Sequence, residues 1–202
     1  MEHNSSANSA PKRVFPPLYK SSGDASSDMV AFFHMLERLK TQKRTGWVDH
    51  GNSISDHMYR MAILAMCTSD QRLDVSKCVM MAIVHDLAEA QVGDISPREG
   101  IPKAEKHRLE AEAMYNFVHE MLHDSAAAQR IYALWQEYEE GVSDEARFVK
   151  DLDRLEMALQ AREYEKRHSR DLQGFFDSSI PHLRHPEVQK WGNELMAGRS
   201  KP

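Results

Sequence analysis

Residues Ala82 to Asp94 of this 202-residue chain (AIVHDLAEAQVGD) form an apolar run that holds one histidine and three carboxylates, His85, Asp86, Glu89 and Asp94. A run this apolar belongs in a core. There, an ionised carboxylate costs on the order of several kcal/mol unless a cation or hydrogen bonds meet it. His85 and Asp86 are adjacent and Glu89 follows about one helical turn later, which places imidazole and carboxylates on one side of a helix. That is half of a metal site, and any fold for this chain has to bring up the other half.

The remainder of the chain supplies helices to do so. Leu, Met, Ala, Glu and Lys are plentiful, Gly and Pro fall mostly between periodic segments, and no alternating strand pattern or internal repeat is present. The length suits one domain. Residues 1–27 are rich in Ser, Asn and Pro and read as a flexible N-terminal tail, with the folded domain spanning 28–198. Apolar spacing predicts helices over about 29–44, 53–66, 74–90, 102–124, 126–140, 143–168, 171–180 and 186–197. The fold class is all-α, an irregular bundle of seven to eight helices.

Charge and composition exclude several functions. The net charge is −5 with no basic stripe, so polymeric nucleic acid is not an expected partner, although a small anion is compatible with a local positive site. No apolar run reaches membrane-spanning length, and the N-terminus lacks a signal-peptide core, so a cytoplasmic location is expected, with the nucleus left open. Cys67 and Cys78 read as free buried thiols. Met58, Met61, Met66, Met80 and Met81 read as adaptable core, and the run Glu163–Arg167 as a solvated helix face.

Two further residues complete the pattern. His57 shares a helical face with Met61, Leu64 and Ala65 and so points inward; alone it would read as a core histidine. Asp153 lies off the edge of the stripe Phe148, Leu152, Leu155 and Leu159; alone it would read as a solvated acid paired with Arg154 or Lys150. With His85-Asp86 they make H…HD…D, two imidazoles and two carboxylates from three helices, a donor set suited to a first-row divalent ion. A second motif, His119-Glu-Met-Leu-His123, matches H-E-x-x-H. Its histidines fall opposite the stripe Met114, Phe117, Val118, Met121 and Leu122, toward solvent, and no third ligand follows. It reads as a coincidence.

The segments Arg44-Thr-Gly-Trp47, Ile54-Ser-Asp56-His57-Met58-Tyr59-Arg60-Met61, His85-Asp86-Leu-Ala-Glu89, Val92-Gly93-Asp94-Ile95 and Phe148-Val-Lys150-Asp151-Leu152-Asp153 together resemble the HD-domain 5'-deoxynucleotidases, over about residues 29–195. The resemblance implies metal-dependent hydrolysis of deoxyribonucleoside 5'-monophosphates to deoxynucleoside and phosphate by a homodimer. It implies His57, His85, Asp86 and Asp153 as ligands of a primary divalent ion, with Mn2+, Co2+ or Mg2+ as candidates. Glu89 and Asp94 match catalytic acids that, with the Ile95 carbonyl, can hold a second cation. Arg44 matches the residue that orients the phosphate, and Trp47 a ring beside the sugar that disfavours a 2'-hydroxyl.

The chemistry is consistent with those assignments. A phosphate monoester dianion needs positive charge, which a metal and Arg44 supply. Glu89 is placed to position or deprotonate the attacking water, and the residues alone leave it open whether it is a base or a ligand of a second ion. Asp94 can serve the leaving 5'-oxygen. Guanosine-tetraphosphate and cyclic-nucleotide hydrolases of the same superfamily rank below this reading: Ala90 stands where the former carry an adjacent acid, and the histidines the latter need lie on a polar helix face. A non-catalytic helical partner would have lost a ligand or Glu89, and none is missing.

Overall fold

The computed structural model describes residues 13–44, 53–96 and 99–199, and apart from one antiparallel bridge between Lys43 and Ser53 their regular structure is helical. In chain order the helices are α1 (Ala25–Met35), α2 (Glu37–Thr41), α3 (Ile54–Met66), α4 (Val75–Val84), α5 (Glu89–Val92), α6 (Lys103–Asn116), α7 (Ala126–Glu140), α8 (Asp144–His168), α9 (Gln173–Ser179) and α10 (Pro186–Ala197). A π turn, Phe117–Met121, continues α6, and a 3-10 turn, Ile180–His182, follows α9. Eight of these ten helices have seven residues or more, which matches the expected bundle; α2 and α5 have five and four.

Local chemistry starts the helices that matter here. Ser53 and Asp56 form a reciprocal capping box at the start of α3, each side chain taking the other's main-chain N–H. Asp74 accepts from Lys77 N–H at α4, and Ser143 from Ala146 N–H at α8. The 25-residue α8 is the spine of the bundle, packed by α3, α4 and α7 on one stretch and by α9 and α10 further along. Ile54, Met61, Met81, Phe117, Phe148, Leu152 and Leu155 are among its largest fully buried side chains. Each contributes roughly 1.5–3 kcal/mol of burial.

Several expectations need correction. The helix expected over 74–90 stops at Val84, and residues 85–88 continue in tighter turns in which Leu87, Glu89 and Ala90 donate to carbonyls three residues back. The helix expected over 29–44 is broken at Leu36, and that over 102–124 widens into the π turn. Cys67, Met66 and Met80 are exposed rather than core, whereas Cys78, Met58, Met61 and Met81 are buried. Within Glu163–Arg167, Tyr164 and Glu165 are buried, and Glu165 accepts from Arg199 at 2.6 and 2.8 Å.

Residues 13–24 also differ from a free tail; residues 1–12 lie outside the described ones. Gln91 Nε2 donates to the Pro16 carbonyl at 2.8 Å, and Asn116 Nδ2 donates to the Tyr19 carbonyl at 2.7 Å. Buried Asp28 accepts from the Tyr19 and Ser21 hydroxyls, both at 2.6 Å, and from Ser22 N–H at 2.9 Å. Burial alone would raise the Asp28 pKa, and these hydrogen bonds instead hold it well below the usual carboxylate range. Phe15 and Tyr19 lie against the core. The Pro- and Ser-rich composition hid these contacts because most run through the main chain.

Candidate metal centre

Three elements converge on one point. α3 presents His57, the turn closing α4 presents His85 and Asp86, and α8 presents Asp153. One donor atom from each of His57, His85 and Asp153 lies within 4.8 Å of the others. His57 Nε2 is 3.2 Å from Asp153 Oδ1 and 3.7 Å from Asp86 Oδ2, and His85 Nε2 is 3.1 Å from Asp86 Oδ2.

The two imidazoles are already oriented as ligands. His57 and His85 are only 1% and 4% exposed, and both Nε2 atoms are buried without a hydrogen-bond partner. Their Nδ1 atoms are taken: His85 Nδ1 lies 2.9 Å from the Ala82 carbonyl and His57 Nδ1 2.5 Å from Glu156 Oε2. A carbonyl can only accept, so His85 carries its proton on Nδ1 and, when neutral, turns a lone pair inward from Nε2. Two such orphaned nitrogens beside two carboxylates are costly to bury unless a cation meets them. The donor set fits a divalent ion.

The charged groups at the site act on one another at close range. Burial opposes ionisation of Asp86, yet His85, Arg44 and His57 hold its pKa below the usual range. Asp153 is likewise held low against burial, by His57 and Arg44. Burial and Arg44 disfavour a charged His57, but Asp153 and Glu156 outweigh them and raise its pKa to about 9; a metal ion at Nε2 competes with that proton. The Arg44 guanidinium is 3.8 Å from Asp153 Oδ1. Glu89 goes the other way: burial, with Asp86 and Asp94 adding to it, pushes its carboxyl well above the ordinary value.

Arg44, His85, Asp86, Glu89, Asp94 and Asp153 all line one cavity of about 550 Å³, with Lys106 and Glu110 on its wall. Ile95, beside Asp94, is buried. Trp47 lies outside the described residues.

The HD-domain family matches residues 36–191, which span this whole constellation. The chain belongs to the HD-domain family. A human 5'-deoxynucleotidase, HDDC2, is 45% identical over 185 residues, 89% of this chain and 90% of its own. The 5'-deoxynucleotidase hdd1 of Schizosaccharomyces pombe is 42% identical over 184 residues, 87% and 92% of the two chains. Among solved structures, the HD domain-containing protein YGK1 superimposes with a TM-score of 0.67 at 32% identity, covering 87% of each chain. A protein from Pyrococcus horikoshii does so at 0.66 and 30%, covering 84% of this chain and 96% of its own. Membership of the HD-domain family carries dependence on a divalent metal with it.

Around the candidate ligands stand supporting residues, of which sequence reasoning missed Glu156, Tyr138 and Lys106. Glu156 is nearly fully buried, and Arg60 donates to its Oε1 from Nε at 2.9 Å and Nη2 at 2.7 Å, and also reaches Gln160 and Glu163. Arg60 thus anchors the carboxylate that anchors His57. Tyr138 packs on the His85 ring and donates to Asp153 Oδ2 at 3.2 Å. Lys106 Nζ lies 4.0 Å from Glu89 and 3.4 Å from Glu110. The usable signal was spacing: Arg60 follows His57, and Glu156 follows Asp153, by one helical turn.

His119 and His123 take no part in the centre. The π turn interrupts the helix they would share, and His123 lies past it at φ +50°. His119 Nδ1 pairs with Asp124 at 2.6 Å and His123 Nε2 with Asp28 at 2.8 Å. Both side chains are partly exposed, as the helical stripe implied, but His123 also reaches inward to the buried Asp28.

Proposed function

We propose that this chain is a metal-dependent 5'-deoxynucleotidase that hydrolyses deoxyribonucleoside 5'-monophosphates to deoxynucleosides and phosphate. The observation that carries the reading is the pair of buried, unpartnered imidazole Nε2 atoms facing acid oxygens beside Arg44. The relatives named 5'-deoxynucleotidases, at 41–45% identity, support the substrate class.

His57, His85, Asp86 and Asp153 would hold the primary ion, and Glu89, Asp94 and the Ile95 carbonyl would offer oxygens to a second. Mixed nitrogen and oxygen donors suit Mn2+ or Co2+, with Mg2+ the harder alternative. Such ions neutralise phosphate charge and lower the pKa of water.

The chain's own residues do the rest. Arg44 presents its guanidinium to the cavity and binds the phosphate dianion as a two-pronged donor. Glu89, whose proton affinity is raised by burial beside Asp86 and Asp94, is assigned to take the proton of the attacking water. Asp94 is assigned to the leaving 5'-oxygen and Trp47 to the sugar face, where it disfavours a 2'-hydroxyl. Lys106 keeps a positive charge beside Glu89.

A cytoplasmic homodimer completes the reading. Tyr59, Ile63 and Met66, exposed along one face of α3, offer an apolar strip to a second copy.

The test is phosphate release from dAMP and AMP by the full chain with Mn2+, Co2+ or Mg2+ added. Turnover of dAMP well above AMP is expected. No release from any monophosphate with any of these ions would overturn the enzyme reading.

A further inference from the structure

Arg13, the first of the described residues, lies against the main chain of Asp94, a residue of the cavity wall. Arg13 Nη1 donates to the main-chain carbonyl of Asp94 at 2.9 Å and to the two Glu99 carboxylate oxygens at 3.0 and 2.8 Å. Glu99 in turn accepts from Ser96 N–H at 2.9 Å. One guanidinium and one carboxylate therefore tie both ends of the turn Asp94–Ser96, where the chain has left α5.

Gly93 makes room for this arrangement. It sits at φ +73°, ψ 164°, a backbone conformation that side chains rarely adopt. A Cβ at that position would also collide with the Arg13 guanidinium. The glycine therefore turns the chain out of α5 and lets Arg13 lie against the turn. Two residues earlier, the Gln91 side chain, 3% exposed, fastens Pro16 and Pro17 to α5 through their carbonyls. The segment is clamped to the element that carries Glu89 and to the turn that carries Asp94.

We propose that Arg13 is a positioning residue that fixes the Gly93–Ser96 turn, and with it the Asp94 carboxylate and Ile95 carbonyl, from outside the cavity. The N-terminal segment then braces the active-site wall from behind. This deepens the metal-dependent phosphatase reading and rests on it. A role in stability alone would lower the thermal midpoint and leave turnover unchanged, whereas a positioning role acts on kcat, because small misplacements of reacting groups are costly.

The experiment compares full-chain Arg13→Ala, Arg13→Lys and Glu99→Gln with the wild type in Mn2+-supported dAMP hydrolysis, below every thermal midpoint. Arg13→Ala is expected to lower kcat about tenfold or more while KM moves by less than about threefold. Arg13→Lys, which keeps a donor for the Asp94 carbonyl, is expected to recover part of the loss, and Glu99→Gln to fall in the same direction as Arg13→Ala. A kcat for Arg13→Ala within about twofold of wild type would overturn the proposal, even with a lowered thermal midpoint. A wild type without turnover would instead contradict the phosphatase reading. The Mn2+-binding isotherms then decide: weakening of a class of Mn2+ sites in Arg13→Ala supports the positioning role, and superimposable isotherms overturn it.

Discussion

His57 and His85 have each spent one ring nitrogen on the protein, on the Glu156 carboxylate and the Ala82 carbonyl, and turn the other toward Asp86 and Asp153. Removing Asp86 takes away the acid nearest His85 without touching the packed stripe of α4. Asp86→Ala is therefore expected to lose metal binding, and phosphate release with it, while circular dichroism still shows a folded helical domain; full activity in this variant would remove the site assignment. Glu156→Gln should keep the shape of its neighbour but weaken the anchor on His57 and leave Arg60 underpaired. A loss of about 10–100-fold in metal affinity by calorimetry is expected, and an unchanged affinity would make Glu156 a packing residue only. His85 and Asp86 stood out in the sequence as candidate ligands because charge in an apolar run has few explanations, and the structure brings His57 and Asp153 beside them. Glu156 did not stand out, since an acid on a helix far in sequence from His57 looks like a solvated residue until the helices are packed together.

At the scale of elements, apolar periodicity located nearly every helix and missed the interruptions. The stripe runs on through Leu36, through His85 and through Phe117, so nothing in its spacing marks the change from α to tighter or wider turns. Those changes come from tertiary demands such as aiming His85, Asp86 and Glu89 into one cavity. The N-terminal segment was illegible for a related reason: Pro16, Pro17 and Tyr19 are held by their carbonyls, which every residue has. Its anchor, Asp28, yields a pH prediction. The folded pKa of Asp28 lies below its unfolded value. Its contribution is thus present above the unfolded value, near 3.9, and is lost as pH falls through the folded one. Asp28→Asn should flatten the acid limb of the stability curve and lower the thermal midpoint at neutral pH; parallel curves for variant and wild type would contradict the anchor.

Across the whole molecule, one spine helix, α8, carries Asp153 and, further along, Ala158, Ala161 and Tyr164 of a second, smaller core that Phe176 of α9 completes. The chemistry and the hydrophobic support of the site therefore share one rigid element, while α3 and α4 deliver the histidines against it. The two cysteines report on this packing. Cys67 is exposed, and Cys78 is buried with its thiol pushed up to about 12 by burial and by Glu145 and Asp74. In the native protein a thiol reagent at neutral pH should modify Cys67 alone, with Cys78 reacting only on unfolding; equal labelling of both would contradict the packing of α4. Among the described residues no helix is long and apolar enough to cross a membrane.

The most direct test of the metal centre is anomalous diffraction from a crystal of the full chain grown with Mn2+. The account predicts an anomalous peak coordinated by His57 Nε2, His85 Nε2, Asp86 and Asp153. Density confined to His119 and His123, or none between the HD ligands at saturating Mn2+, would contradict it.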